Sequence, residues 1–375
     1  MLLKSILICG LSLFAIKAIS QENPQPVRSF SGVPFLLINP DARTAGLSET
    51  GLATLSEGGD YFLNASKMTD LKSKGGFSVS YVPWLNNFSR ETNLGYLSGY
   101  LRLGQQFVLG SSIKYFSLGS VELRDNAEQN LGTTSPNEFA IDLSVAQAFG
   151  KEFSLSSTLR YIRSDFGGGS LSGATIRAGQ TVAMDVGASL RKQSYFMGFP
   201  ATLGFGLSIS NLGPKIGYAD SDQNKLFLPA SLRLGASSVI ESNEDDRITL
   251  ALDLSKLMVP ESDGDQNQLY GQKSAVDGLF SSFSDSPAGF RGELRDVGIS
   301  VGDEYSYRSL LAIRAGYHHA GRQYGTRFFS LGMGFRYQIL KADFSYLFAG
   351  SKSDPLASTL RLTLGFSFDA AMNVF

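Results

Sequence analysis

His318 and His319 are the two histidines of the 375-residue chain, and imidazoles are the first groups to weigh for acid–base or metal chemistry. Adjacent residues on a strand point to opposite faces, so the two cannot serve one site without a bulge. Either could join a distant serine in a lipase-like dyad, but no G-x-S-x-G elbow is expected to accompany it. Near the outer rim of their strand both are expected as interfacial polar residues. "DGDQNQ" at 263–268 sets Asp263, Asp265 and Asn267 at calcium-loop spacing. Gln268 stands where that loop needs glycine and Ser274 where it needs a bidentate glutamate, so the stretch reads as a solvated acidic loop. "ESNEDD" at 241–246 reads the same way. Arg102, Arg160, Arg336 and Arg361 fall on polar strand faces, where they would pair with acids such as Asp142 and Asp185. No catalytic set, metal site or cofactor site is expected.

One stretch carries a different signal. In "KSAVDGLFSSFSDSPAGF", Ala275, Val276, Leu279, Phe280 and Phe283 recur at helical spacing, which predicts a short amphipathic helix within the longest loop. It reads either as a lid over the mouth of its own domain or as an apolar surface offered to a protein partner. Val276, Leu279, Phe280, Phe283 and Phe290 are the candidate contact residues.

The elements that must position these residues show strict alternation. The closing "STLRLTLGFSFDAAMNVF" sets Leu360, Leu362, Leu364, Phe366 and Phe368 against Arg361, Thr363, Gly365 and Ser367, a strand with one apolar and one polar face. Comparable segments lie at 77–83, 93–103, 105–116, 138–149, 153–163, 181–191, 201–211, 231–240, 246–257, 296–303, 309–318, 327–338, 341–349 and 358–369. Most match the roughly 9 to 11 residues that cross a bilayer obliquely. Long connections at 84–92, 117–137, 164–180, 212–230 and 258–295 alternate with tight ones around Gly104, Gly150–Glu152 and Leu340. That parity belongs to an outer-membrane barrel with short periplasmic turns and long outer loops. The fold class expected is therefore all-β: a transmembrane antiparallel barrel of about 14 strands over residues 74–375.

Composition agrees, with 41 Gly, 27 Phe and 15 Tyr in a chain of net charge −1; nothing suggests nucleic acid. Residues 1–20, with Lys4 and an apolar run before Ala18 and Ser20, read as a signal peptide. Cys9, the single cysteine, lies inside that run. Residues 21–73 do not alternate and are expected either to fold into the lumen as a plug or to form a periplasmic arm.

The stretches "PFLLINPDARTAGLSETGLAT" (34–54), "NLGPKIGY" (211–218), "LPASLRLG" (228–235), "SFSDSPAGFRGELRDVGISVGDEYSY" (282–307) and "RAGYHHAGRQYGTRFFSLGMGFRY" (314–337) resemble the PorV/PorQ family of FadL-like outer-membrane proteins. Where that family has a Trp-Asn-Pro-Ala-Lys run, this chain has "LNASKM", with Ala65 and Ser66 and no proline. The resemblance implies a FadL-like barrel with an N-terminal plug. It also implies work alongside an SprA-type translocon, acceptance of secreted cargo through a C-terminal signal domain, and delivery to a PorU-type cell-surface attachment complex. Three function classes follow: a carrier and docking subunit of a secretion machine, held among outer-membrane lipids; a FadL-like channel for small hydrophobic molecules; and a lipid A enzyme, which the two histidines disfavour.

Overall fold

The structure is a computed structural model and describes residues 31–83, 91–124, 130–167, 169–171, 174–219, 225–261, 273–286, 288–321, 327–349 and 359–368. Residues 1–20, Asp263, Asp265 and Asn267 lie outside the described residues.

The alternating segments form strands because each places apolar side chains on one face and small or polar ones on the other. In chain order these are β1 (Gly75–Pro83), β2 (Asn93–Leu103), β3 (Phe107–Ser117), β4 (Val121–Arg124), β5 (Asn130–Thr134), β6 (Asn137–Phe149), β7 (Phe153–Asp165), β8 (Gly169–Leu171) and β9 (Ala174–Ile176). They continue with β10 (Gly179–Phe196), β11 (Phe199–Leu212), β12 (Ser231–Glu241), β13 (Asp246–Leu257), β14 (Gly298–Tyr307), β15 (Leu311–His319), β16 (Arg327–Tyr337), β17 (Leu340–Ala349) and β18 (Thr359–Ser367). Fourteen of them close into one antiparallel barrel. The remaining four make two small hairpins, β4 with β5 and β8 with β9, inside long loops; these were not expected from alternation.

Closure is made by the terminal strand. β18 pairs with β1 from Gly76 opposite Ser367 to Tyr81 opposite Leu362, and outside this seam the Phe77 ring stands 5.4 Å from Phe366 and 6.2 Å from Phe368. The connection parity also holds. Tight turns join β2 to β3, β6 to β7, β10 to β11, β12 to β13, β14 to β15 and β16 to β17. Left-handed residues sit in several of them: Gly104, Gly150, Met197 with Gly198, Arg308 with Ser309, and Gln338. Met197 at φ 52° and Gly198 at φ 88° form the two-residue mirror-type turn that matches strand twist.

Along β7 the two faces separate cleanly. Ser154, Ser156, Thr158, Arg160 and Ser164 are buried inside, while Phe153, Leu155, Leu159 and Tyr161 are exposed outside. An exposed apolar band of this kind is the surface a bilayer covers.

The expected strand at 296–303 is displaced: β14 runs Gly298–Tyr307. Glu304 faces inward in mid-strand and Asp303 outward, so two consecutive charges interrupt both faces and hide the period from a sequence reading.

Leu331 is outward-facing in the middle of β16 and 54% exposed. Leu331→Arg is expected to destabilise the barrel by about 2–4 kcal/mol, the cost of a cation on the lipid face at the midplane. Urea unfolding in lipid vesicles measures it.

Candidate functional site

Residues 31–73 contain a 3-10 turn at Pro34–Leu37, a short helix at Ala42–Gly46 and a second 3-10 turn at Ala65–Asp70. A five-residue helix is not stable alone. It is held by Asp41, whose side chain accepts from the Thr44 N–H at 2.9 Å, and by the wall around it. Gly46 meets Gly332 so closely that a Cβ added to Gly46 would stand 3.0 Å from the Gly332 Cα. A side chain at Gly302 or Gly316 would run into the Leu47 backbone. Glycines in three wall strands thus let this segment lie directly against the inner face.

The contacts circle the ring. The Ala42 N–H donates to Thr363 of β18 at 2.9 Å and the Ser48 N–H to Ser330 of β16 at 2.9 Å. The Gly51 and Leu52 N–H groups donate to Asp253 of β13 at 2.9 and 3.0 Å. Arg191 of β10 donates to the Ala53 and Thr54 carbonyls at 2.6 and 3.0 Å and pairs with Asp70 at 2.9 Å. Lys114 of β3 donates to the Leu36 carbonyl at 3.2 Å and lies over the Phe62 ring at 4.1 Å.

At the centre is a network of buried ions. Arg43 grips Glu304 of β14 with two bonds of 3.0 Å and reaches Asp60 at 2.9 Å. Glu304 also accepts from Arg314 of β15, whose other arm pairs with Asp343 of β17 at 2.7 Å. Lys341 stands 3.1 Å from Asp343, and Lys67 stands 3.0 Å from Asp60 while donating to the Gly51 carbonyl at 2.6 Å. Arg336 pairs with Glu57, and Arg361 binds Glu49 and the Asn39 carbonyl. Buried charges persist only when matched in this way.

The expected arginine pairing is partly met. Arg160 binds Asp142 at 2.7 Å and Asp185 at 3.0 Å. Arg336 and Arg361 instead find acids of the N-terminal segment, and Arg102 donates to the Thr69 and Leu71 carbonyls rather than to an acid. Arg43, Asp60, Lys67, Glu304, Arg314 and Asp343 carry the network, and sequence reasoning did not single them out. Glu304, Arg314 and Asp343 sit in the inward phase of their strands, a signal that alternation contains.

Two small chambers, each with room for about one water molecule, lie between this segment and the wall. One is lined by Tyr61, Tyr96, Asp142, Ser144, Thr158 and Arg160. The other sets Leu36, Leu37, Phe62 and Leu63 against Arg160 and Arg233. Neither is the uniformly apolar pocket that a hydrophobic-solute channel would use.

His318 faces inward and not to the membrane interface as expected: its Nδ1 lies 2.7 Å from the Ser300 Oγ and its ring stacks on Phe328 at 5.0 Å. Only His319 points outward. Gly298 to Gly302 do spell G-x-S-x-G around Ser300, a match the sequence reading passed over. It runs along β14 between β13 and β15, so its backbone amides belong to the sheet ladder and no strand-to-helix elbow presents the serine. Among the described residues no group of three or more His, Cys, Asp or Glu could hold a metal ion. "ESNEDD" is a tight turn, closed by Asn243 accepting from the Asp245 N–H at 2.8 Å and by Asp245 paired with Arg308 at 3.1 Å.

The predicted loop helix forms at Ala275–Ser281, capped by Ser274, whose Oγ accepts from the Asp277 N–H at 3.1 Å. Gly278 faces the Phe227 ring so closely that a Cβ there would stand 2.4 Å from it, which fixes the inner side. Val276 and Phe280 are therefore turned outward, at 60 and 74% exposure; Phe283, just past the helix, is 44% exposed with its ring 5.7 Å from the Lys256 Nζ, and Leu279 is half-buried. A second short helix, Phe290–Arg295, adds Phe290 and Leu294, both exposed. Beneath them Lys256 joins Glu293 at 2.7 Å. Burial pushes the Asp285 carboxyl above its ordinary range, while the Glu261 N–H that it accepts pulls the other way and Glu293 adds to the rise. Leu294 was missed because a single i, i+4 pair gives too little period.

Glu304→Gln is expected to cost about 3–5 kcal/mol of barrel stability, since it leaves two arginines underpaired in a buried site. Glu244→Gln on the exposed turn should shift stability by less than about 0.5 kcal/mol. Urea midpoints of the two variants side by side measure the difference.

The family model described as "Type IX secretion system protein PorV" matches residues 21–263. None of the curated proteins matches the chain. Among solved structures, the barrel is similar to the Pseudomonas putida toluene transporter TodX in two crystal structures. One is 8% identical with a TM-score of 0.51, covering 87% of this chain and 97% of that one. The other is 11% identical with a TM-score of 0.50, covering 91% and 98%. A Pseudomonas aeruginosa FadL homologue is similar at 11% identity and a TM-score of 0.42, covering 92% and 97%. At such identities the likeness is one of fold.

Proposed function

We propose that this chain, which belongs to the family of the type IX secretion system protein PorV, is an outer-membrane carrier and docking subunit. Its membership gives it an outer-membrane role in type IX secretion and no enzymatic one. In the finer reading it accepts secreted proteins, through their C-terminal signal domain, from an SprA-type translocon and hands them to a PorU-type attachment complex at the cell surface. Residues 1–20 direct export, and residues 21–73 act as a plug that stays bonded to the wall during this work.

The observation that carries the reading is the family match over residues 21–263, which takes in the N-terminal segment and the wall through β13. The exposed platform of Val276, Phe280, Phe283 and Phe290, with half-buried Leu279 beside them, lies just beyond the matched residues. Exposed aromatic side chains, such as Phe280 on the glycine-packed helix, are the kind of anchor that protein interfaces use. A second reading, a FadL-like channel for small hydrophobic molecules, is favoured by the likeness in fold to TodX. The ion-paired N-terminal segment and the polar chamber beside it weigh against that reading.

Affinity purification of the tagged protein from outer membranes in mild detergent, followed by mass spectrometry, tests the proposal. A very large outer-membrane partner together with secreted proteins that share a C-terminal domain is expected; a barrel that brings only lipid or fatty acid overturns it. Joint replacement of Leu279, Phe280 and Phe283 by serine is expected to leave the heat-modifiable mobility of the folded barrel unchanged and to abolish export of those cargo proteins. Export at the wild-type level would remove the platform from the mechanism.

A further inference from the structure

The segment ahead of β1 runs the depth of the lumen, and its direction follows from what it touches at each end. The tight turns mark the periplasmic end of the barrel, so the loops that join β11 to β12 and β13 to β14 lie at the outer end. Where the described chain begins, the Gly32 N–H donates to the Phe227 carbonyl at 2.8 Å and Ser31 bridges Phe227 in parallel. Phe227 belongs to the loop between β11 and β12, and Leu226 beside it bridges Ile216 of the same loop. A Cβ on Gly32 would stand 2.6 Å from the Ile216 side chain, so the chain is fitted closely into that outer loop. Val33, Phe35 and Leu36 then pack with Val82, Phe116 and Ile162, near the outer ends of β1, β3 and β7.

The other end of the segment lies among the tight turns. Thr69 bonds Ser154, the second residue of β7, at 2.7 Å. Arg102, the last residue but one of β2, donates to the Thr69 and Leu71 carbonyls. Asp70 pairs with Arg191, whose backbone N–H donates to the Glu152 carbonyl in the turn between β6 and β7. Between the two ends, Ala42 bonds Thr363 and Arg43 bonds Glu304, both within wall strands. The chain therefore descends from the outer mouth to the periplasmic rim before it enters β1. The two chambers beside it have room for about one water molecule each, too little for a second pass of polypeptide.

We infer that the chain ahead of Ser31 leaves the barrel on the cell-surface side, so that residues 21–30 and the end of β18 lie on opposite sides of the outer membrane. An even number of strands returns a chain to the side from which it started. Here β18 ends at the periplasmic rim, where the Ser367 N–H donates to the Ile339 carbonyl in the turn between β16 and β17 and the Phe368 N–H to the Gly75 carbonyl. The pass through the lumen adds one crossing to the fourteen strands and makes the total odd. Phe227 gives this topology a consequence for recognition. Its carbonyl holds Gly32 while its ring packs against Gly278 of the loop helix, so the chain emerges beside the helix that carries Val276 and Phe280. A secreted protein that meets the platform also meets residues 21–30. That last step rests on the secretion reading; the direction of the lumen crossing does not.

The test is cysteine labelling of the full-length protein on intact cells, with a maleimide carried on a polyethylene glycol too large to cross the outer membrane. Cys9 is the single cysteine, so each variant is made in a Cys9→Ser background. Gln25→Cys probes the chain ahead of Ser31, Val276→Cys the exposed loop helix, and Lys72→Cys the exposed periplasmic end of the lumen segment. Each is checked for the heat-modifiable mobility of the folded barrel, and Ser31→Cys serves if Gln25→Cys does not fold. Positions 25 and 276 are expected to shift on a gel after labelling of intact cells, and position 72 only after the outer membrane is permeabilised. A position 25 that shifts only after permeabilisation, only in denaturing detergent, or not at all would overturn the inference. Equal labelling of 25 and 72 on intact cells would overturn it as well. Labelling reports the side of the membrane whether or not cargo is exported, so failure here leaves the secretion reading standing.

Discussion

In hydrocarbon a backbone N–H or C=O has no water to turn to, and each strand of a spanning sheet must therefore have a neighbour on both sides. For this chain that constraint is met at one seam, where β1 and β18, first and last in the barrel, share a six-residue register. Everything else about the wall follows from closure. A closed antiparallel sheet assigns alternate residues to two solvents, so the same strand must carry leucine and phenylalanine outward and serine, threonine and arginine inward. Fourteen strands also make a ring too wide for side chains alone to fill. The interior needs either water or more protein.

Here residues 31–73 lie against the inner face of the described wall, and their hold is electrostatic and geometric before it is hydrophobic. Arg43 reads Glu304, the Gly51 and Leu52 amides read Asp253, Arg361 reads Glu49, and Arg191 reads Asp70. These attachments come from four strands, β10, β13, β14 and β18, and together they fix the position of a segment whose own helix is one turn long. Buried ion pairs contribute little net stability against a well-packed apolar alternative. What they supply is discrimination: a segment shifted by one residue would leave several charges unmatched in the lumen at once.

The wall was legible in the sequence because a period of two repeated over nine to thirteen residues is a strong signal, and loop parity is independent of it. β14 shows where the signal fails. Asp303 and Glu304 put a charge on each face in succession, so the strand looks finished where it is half-way. The lumen was not legible for a different reason. Arg43 and Glu304 are 261 residues apart, and no spacing rule connects them; knowing that both are inward-facing narrows the choices without naming the pair. The loop helix was readable from Ala275 to Phe283, whereas Phe290 and Leu294 sit on a helix of six residues that offers a single i, i+4 relation. The G-x-S-x-G around Ser300 marks the opposite error to be avoided: a motif whose letters match while its strand context removes the chemistry.

These features bear on one another. Ions paired across the described lumen place Asp142, Arg160 and several hydroxyls along the first chamber. The outside is not uniform either. Above the wall, Gly278 packs a helix onto Phe227 so that its one aromatic residue, Phe280, faces away from the barrel. The helical loop joins β13 to β14, so exposed Val276 and Phe280 stand over one arc of the ring.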